Sequence, residues 1–146
     1  MDAFQILMKD HREVDKLFEQ IEKSDNRGSR QREQLFHQLR QELELHTQVE
    51  ESIFYPEMKK HAGTKDLVSE ALEEHSEVKQ MLQEVGELSA DDDQWSELVN
   101  ALKMAVQHHV REEEDEMFPA ARKAVDQRRI DELGRQILEM KQKASA

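Results

Sequence analysis

Apolar residues recur every three or four positions along most of the chain, a spacing that places them on one face of an α-helix. The spacing predicts a first helix after Asp2 and a second helix from about Ser29 to the region of His61 and Gly63. Between the two helices, residues 24–28 have the composition of a turn. We expect Asp2 to cap the first helix and Gly63 to close the second in a left-handed conformation.

Two more long helices and a shorter last one follow. The third begins near Thr64, the fourth follows an acidic loop at residues 89–93, and the last spans roughly Gln127 to Lys143. Four long helices joined by short loops predict an up-down-up-down four-helix bundle. We therefore expect an all-α chain, with the bundle in residues 1–125 and an additional short C-terminal helix in residues 126–146.

Composition agrees with this fold and excludes several classes of function. The 146 residues include four glycines, two prolines and no cysteine, which leaves no disulfide and no thiolate metal site. A net charge of -12 disfavours nucleic acid and anionic membrane surfaces as partners. No apolar run approaches the roughly 20 residues of a membrane span, and the first residues do not resemble a signal peptide. These features predict a cytoplasmic protein without a membrane partner.

The second and fourth helices carry the same motif. Residues 46–56 and 109–119 both read His, three residues, Glu-Glu and then an aromatic residue followed by Pro, at the same offsets. Upstream of each copy, residues 10–14 resemble residues 74–78, and each of these stretches contains one His on the apolar stripe. The chain is therefore predicted to be two related helical hairpins, each with one His on its first helix and His-x-x-x-Glu on its second.

Residues four apart lie on the same face of a helix, so the His and the first Glu of each motif point together. Both sit on apolar stripes, and burying such groups unpaired costs several kcal/mol each. Imidazole and carboxylate are ligands of divalent iron, manganese or zinc, and such sites form between facing helices of a bundle. The predicted ligands of two metal ions are His11 and His46 for one ion, His75 and His109 for the other, and Glu50 and Glu113 as bridges.

These motifs, together with their Tyr55-Pro56 and Phe118-Pro119 endings, resemble the hemerythrin-like family with its HHE cation-binding domain. The resemblance spans about residues 2–125. It implies a four-helix bundle around a non-haem di-iron centre, bridged by two carboxylates and an oxo or hydroxo group. Members of the family bind dioxygen reversibly, sense oxygen or redox state, handle peroxide or nitric oxide, or store iron. The expected ligand is thus a small oxidant: dioxygen, peroxide or nitric oxide.

Two positions depart from the family pattern. Oxygen-carrying hemerythrins have a fifth His one turn after the third-helix His, where this chain has Lys79. Some relatives have an acidic residue directly after the second-helix His, where this chain has Thr47. These departures argue against simple reversible oxygen carriage.

Two other functions are compatible with the sequence. One is a non-catalytic metal-binding module that holds zinc or stores iron. The other is a metal-free helical interaction domain that self-associates through its last helix. The sequence does not decide whether the protein is an enzyme, or its oligomeric state.

Residues around the motifs are expected to have ordinary roles. Tyr55 is expected to pack in the core, and the alternative is that it hydrogen-bonds toward the site or gates access to it. Because proline lacks an N–H, Pro56 and Pro119 are expected to bend the helix where the carbonyls of Ser52 and Asp115 lose their partners. Such a bend would aim the ligand turn, unless the two prolines are only shared relics of duplication. Histidines off the stripes are not expected to be ligands: His37, His61 and His108. The remaining acidic residues of the motifs are expected to face solvent: Glu51, Glu112, Glu114 and Glu116.

Overall fold

A computed structural model describes residues 1–24 and 28–145, and these residues form helices and short connections. In chain order the helices are α1 (Ala3–Lys23), α2 (Ser29–Val49), α3 (Tyr55–Met58), α4 (Lys65–Gly86), α5 (Asp93–Glu112), α6 (Phe118–Ala124) and α7 (Gln127–Ser145). Two π-helical segments are π1 (Glu50–Phe54), which joins α2 to α3, and π2 (Glu113–Met117), which joins α5 to α6. The predicted all-α bundle with an additional C-terminal helix is confirmed.

The ends of the predicted helices lie close to their expected positions. The Asp2 carboxylate accepts a hydrogen bond from the Gln5 backbone N–H at 3.0 Å, and the Gln5 side chain accepts one from the Asp2 N–H. Asp2 is thus the expected cap of α1. Of the predicted first turn, residues 25–27 lie outside the described residues.

The end of the second helix differs from the prediction. α3 ends at Met58, and Gly63 does not take a left-handed conformation. The Thr64 hydroxyl donates a hydrogen bond to the Met58 carbonyl at 2.5 Å. This bond satisfies a carbonyl at the end of the helix, so a left-handed glycine is not required.

Two apolar clusters fill the bundle, one on each side of a polar layer. The first cluster includes Phe4 and Leu7 of α1, and the second includes Val14 and Phe18 of the same helix. His11 lies on α1 between them. The polar motif residues are therefore held between two packed hydrophobic cores.

Helix α7 packs along α1, α2 and π1. Its buried side chains are Ile130, Leu133 and Ile137, which belong to the first apolar cluster. Because this stripe is buried within the chain, it is not available for the self-association considered above.

The division between residues 1–125 and 126–146 stays a prediction, and residue 146 lies outside the described part. No helix of the described residues is long and apolar enough to cross a membrane.

Gly134 allows the start of α1 to approach α7 closely. A β-carbon at this position would lie 2.9 Å from the Ala3 nitrogen, the Asp2 carbonyl carbon and the Met1 carbonyl oxygen. These are backbone atoms that cannot move aside as a side chain would. Gly134→Ala should therefore lower the free energy of unfolding by about 1–3 kcal/mol, although alanine favours a helix by about 1 kcal/mol.

Gly63→Ala is the matched control, because a β-carbon at Gly63 would meet nothing within 4 Å. Urea denaturation of the two variants gives the comparison. If Gly134→Ala were as stable as Gly63→Ala, the close approach of α1 and α7 would be wrong.

Candidate metal centre

The structure brings the six predicted ligand residues together in the polar layer of the bundle. The four histidines come from four different helices and are each no more than 6% exposed, while the two glutamates are at most 1% exposed. Glu50 and Glu113 begin the two π segments. Six ionisable side chains are thus buried around one another, as predicted from the motifs, and their role as ligands stays a prediction.

The six side chains divide into two groups that share both glutamates. The first group is His11, His46, Glu50 and Glu113, and the second is His75, His109, Glu50 and Glu113. Within each group, one potential ligand atom from every residue lies within 4.8 Å of the others. Each group offers two nitrogens and two carboxylates, a donor set that suits a divalent transition metal.

Each histidine directs its Nε2 atom toward a shared glutamate. Nε2 of His11 lies 3.1 Å from a Glu113 oxygen, and Nε2 of His109 lies 3.5 Å from the other Glu113 oxygen. Nε2 atoms of His46 and His75 both lie 3.1 Å from Oε1 of Glu50. The carboxylates therefore occupy the space between the two histidine pairs.

Two atoms of this cluster lack a hydrogen bond. Among the described residues, Nε2 of His46 and Oε2 of Glu50 are buried without an aligned partner. Leaving a buried polar atom unsatisfied costs about 1–3 kcal/mol. A cation held between a nitrogen lone pair and a carboxylate oxygen would compensate both atoms, so the residues present fit a metal.

A second layer of carboxylates holds the opposite nitrogen of each histidine. The Nδ1–carboxylate pairs and their distances are His11–Glu114 at 2.6 Å, His46–Asp10 at 3.0 Å, His75–Glu51 at 2.8 Å and His109–Glu74 at 2.7 Å. A carboxylate at Nδ1 fixes the proton there and leaves Nε2 free to bind a metal. All four histidines are therefore oriented in the same way.

The prediction that Glu51 and Glu114 face solvent is wrong, because each side chain is 30% exposed and bonds a histidine on a different helix. The signal was present in the repeat. Each histidine of the first and third helices follows an acidic residue, Asp10 or Glu74, and each of the two shared glutamates precedes one. The prediction of solvent exposure followed from residue type alone, because Glu side chains are usually solvated.

The other residues singled out from the sequence lie outside the buried cluster. Lys79 does not face the site: its amino group lies 3.4 Å from Glu51, which in turn bonds His75. His37 is exposed, His61 pairs with Glu57, and His108 is 60% exposed. Their exclusion as ligands of the buried cluster agrees with the geometry.

Tyr55 does more than pack in the core. Its hydroxyl donates a 2.5 Å hydrogen bond to Oε2 of Glu113. The hydroxyl oxygen of Tyr55 also lies 3.2 Å from Nε2 of His75 and 3.4 Å from Nε2 of His109. In the other hairpin the equivalent residue is Phe118, whose ring is parallel to that of His11 at 6.2 Å. The two halves of the site therefore differ by one phenolic oxygen.

Each of the two prolines follows a π-helical segment, π1 before Pro56 and π2 before Pro119. The bend predicted at these prolines stays a prediction. In each segment the backbone N–H of the aromatic residue bonds back five positions, from Tyr55 to Glu50 and from Phe118 to Glu113. A π turn contains one more residue than an α turn, and it changes the direction of the side chains that follow. Because each segment begins at a shared glutamate, the distortion lies within the ligand turn itself.

Without a metal, the glutamates keep two of the imidazoles protonated. Burial alone would lower the pKa of His46, but the charge of Glu50 and the bond to Asp10 outweigh it and raise the pKa to about 10. Burial is likewise outweighed at His109, where Glu113 raises the pKa to about 11. In the metal-free protein this stabilisation is complete below the ordinary pKa of 6.5 and is lost as pH rises through these values.

A small apolar cavity adjoins the four histidines. Its volume is about 20 Å3, and its other walls include Val14, Leu43, Val78 and Val106. A space of this size holds about one water-sized molecule. Any molecule that reaches the histidines through this cavity must therefore be very small.

Residues 2–121 match the sequence profile of the hemerythrin HHE cation binding domain. A crystal structure of a hemerythrin HHE cation binding domain-containing protein from Mycobacterium kansasii superposes with a TM-score of 0.85 at 24% identity, covering 97% of this chain and 86% of that one. This structural likeness shows the fold.

Two similar sequences are longer than the matched region. A DNA nickase of Nostoc is 30% identical over 122 residues, which are 84% of this chain and 34% of the nickase. An uncharacterized hemerythrin-like protein of Schizosaccharomyces pombe is 28% identical over 115 residues, covering 77% of this chain and 56% of the yeast protein. This chain thus spans about a third of the first relative and just over half of the second.

Metal binding should strengthen as pH rises. At neutral pH His46 and His109 hold protons in the metal-free protein, and a metal must displace them. The dissociation constant for Co2+, measured against a competing chelator at pH 6, 7 and 8, should fall about tenfold per pH unit for each proton displaced. A dissociation constant that does not change over this range would contradict the ligand assignment.

The carboxylates at Nδ1 should contribute to metal affinity. Glu114→Ala removes the partner of His11 and should weaken Co2+ binding about 10- to 100-fold. Glu116→Ala is the matched control, because it makes the same charge change on the same π segment at an exposed position. Equal affinities of the two variants would show that the bond to His11 is dispensable.

Proposed function

The chain belongs to the hemerythrin HHE cation-binding domain family, and we propose that its buried cluster holds two iron ions and acts on or senses a small oxidant. The observation that carries this proposal is the pair of ligand groups that share Glu50 and Glu113. His11 and His46 would hold one ion, and His75 and His109 the other. Glu50 and Glu113 would bridge the ions, with an oxo or hydroxo group as a further bridge.

When bound, the iron pair would supply Lewis acidity and redox chemistry. The chain's own residues would position and protect the site. The carboxylates at Nδ1 keep each Nε2 directed inward, and the hydroxyl of Tyr55 holds a proton within bonding distance of Glu113. Valine and leucine side chains line the adjoining cavity and would limit the access of bulk water to the site.

The size and lining of the cavity support the choice of ligand. Dioxygen, nitric oxide and hydrogen peroxide have two heavy atoms each and are compatible in size with a space of about 20 Å3. Its walls are mostly hydrocarbon apart from the histidine rings, which favours weakly hydrated molecules.

A second candidate function is a metal-binding module without a reaction, holding zinc or storing iron. The nitrogen and carboxylate donors are as compatible with this function as with the first, because they suit zinc and manganese as well as iron.

A cytoplasmic location also stays a prediction. The similarity to the DNA nickase leaves interaction with nucleic acid open, although a net charge of -12 argues against it.

Metal content tests the proposal directly. Protein loaded anaerobically with Fe2+ should retain two ions per chain and develop near-ultraviolet absorption when dioxygen or peroxide is added. Glu113→Ala should retain less metal than the Glu116→Ala control and lose most of the rise in Tm on loading, because both ions lose a ligand.

The opposite results are equally clear. A wild-type protein that retains less than one ion after ferrous loading would contradict the metal site. Two ions with no spectral response to either oxidant, or a colourless zinc form, would favour the non-catalytic module. A metal-free domain would predict that Glu113→Ala leaves Tm unchanged or raises it, since it removes a buried charge.

A further inference from the structure

The two hairpins differ on the surface that leads to their histidines. In the first hairpin the groove between α1 and α2 contains Ile6, Leu45 and Val49, which share an apolar cluster with α7. The repeat places Glu70, His108 and Glu112 at the corresponding positions of the second hairpin. The second hairpin thus has three ligand-type residues where the first hairpin has three apolar residues that cluster with α7. Of the three ligand-type residues, Glu70 and His108 are exposed.

The carboxylates that hold His46 and His109 also differ in their surroundings. Asp10 bonds Nδ1 of His46 and is paired with the amino group of Lys141 from α7. Its equivalent, Glu74, bonds Nδ1 of His109 through Oε1. Beside Glu74, at the place where Asp10 has a lysine cation, the second hairpin has the ring of His108 and another carboxylate.

The distances in this second cluster suit a divalent cation. Oε2 of Glu74 lies 3.6 Å from Nε2 of His108, which lies 2.8 Å from Oε1 of Glu112. One ligand atom from each of the three residues lies within 4.8 Å of the other two. One neutral imidazole and two carboxylates are a common donor set for divalent transition metals.

A small cavity lies between this cluster and the buried site. The cavity has a volume of about 10 Å3, and its lining includes Glu70, Glu74, Glu112, His109 and Glu113 together with the apolar side chains of Leu67, Ala71 and Met117. Glu113 is 1% exposed and belongs to both buried ligand groups. The cavity therefore borders both the carboxylates of this cluster and Glu113 of the buried site.

We propose that Glu74, His108 and Glu112 form an outer cation site that captures divalent metal and passes it along this cavity to the buried ligands. The proposal rests on the proposed function, because it supplies the metal that the buried cluster is to hold. Glu70 adds negative charge at the mouth of the cavity and attracts the cation. In the described part of the first hairpin, the corresponding residues are apolar and belong to the cluster that packs with α7.

The test compares the double variant His108→Gln/Glu112→Gln with the control His37→Gln/Glu116→Gln, which makes the same changes at exposed positions. Glu74 is left intact because it holds His109. Co2+ alone is the probe, since its visible spectrum reports its coordination. Rapid mixing gives the rate at which the buried pair fills, and equilibrium dialysis gives the number of ions bound.

The wild type and the control should bind two Co2+ ions tightly and a third more weakly. The double variant should lose the third ion and still fill the buried pair to two, but about tenfold or more slowly, because electrostatic capture at the cavity mouth is lost. An unchanged filling rate, or no third ion in the wild type, would overturn the outer site and leave the buried pair intact. If the wild type binds no tight ions at all, the proposed function fails as well.

Discussion

The structure depends on one electrostatic constraint: six ionisable side chains are buried between two hydrophobic cores. Each imidazole is placed between a carboxylate at Nδ1 and a shared glutamate at Nε2. Removing one partner of a buried ion pair costs about 3–5 kcal/mol, so these groups hold one another in position. Protons satisfy part of the cluster when no metal is bound, as the raised pKa values of His46 and His109 show. A metal pair would replace those protons with charges that match the same geometry.

The internal repeat explains how a small domain forms such a site. Each hairpin contributes one histidine from its first helix and His-x-x-x-Glu from its second, so two similar halves produce a nearly symmetric set of ligands. The symmetry ends outside the ligands. Tyr55 bonds the cluster on one side, whereas Phe118 lies against a histidine ring on the other. Helix α7 packs against apolar residues of the first hairpin. The second hairpin has ligand-type residues at the equivalent positions. These differences would let the two metal positions have different chemistry and different access to solvent.

Most of the fold and the convergence of the six site residues could be predicted from sequence. The apolar spacing of three or four residues predicts the helices, and the repeated His-x-x-x-Glu motif predicts which of their side chains meet. An apolar stripe defines a helix face, and a polar residue on that stripe must be buried with a partner, as His75 is. The long-range partners were harder to predict. Glu51 and Glu114 resemble solvated residues by type, and only their positions across the bundle show that they bond histidines. A left-handed Gly63 is not found because the Met58 carbonyl at the helix end accepts a hydrogen bond from the hydroxyl of the next residue, Thr64.

The central claim is that two cations hold the buried histidines and glutamates together. The most direct test is a crystal of the iron-loaded protein with anomalous diffraction recorded at the iron edge. The account predicts two anomalous peaks, one about 2 Å from the Nε2 atoms of His11 and His46 and one at a similar distance from those of His75 and His109, with Glu50 and Glu113 between them. A single peak elsewhere on the chain, or an iron-loaded crystal without a peak between the histidines, would contradict it.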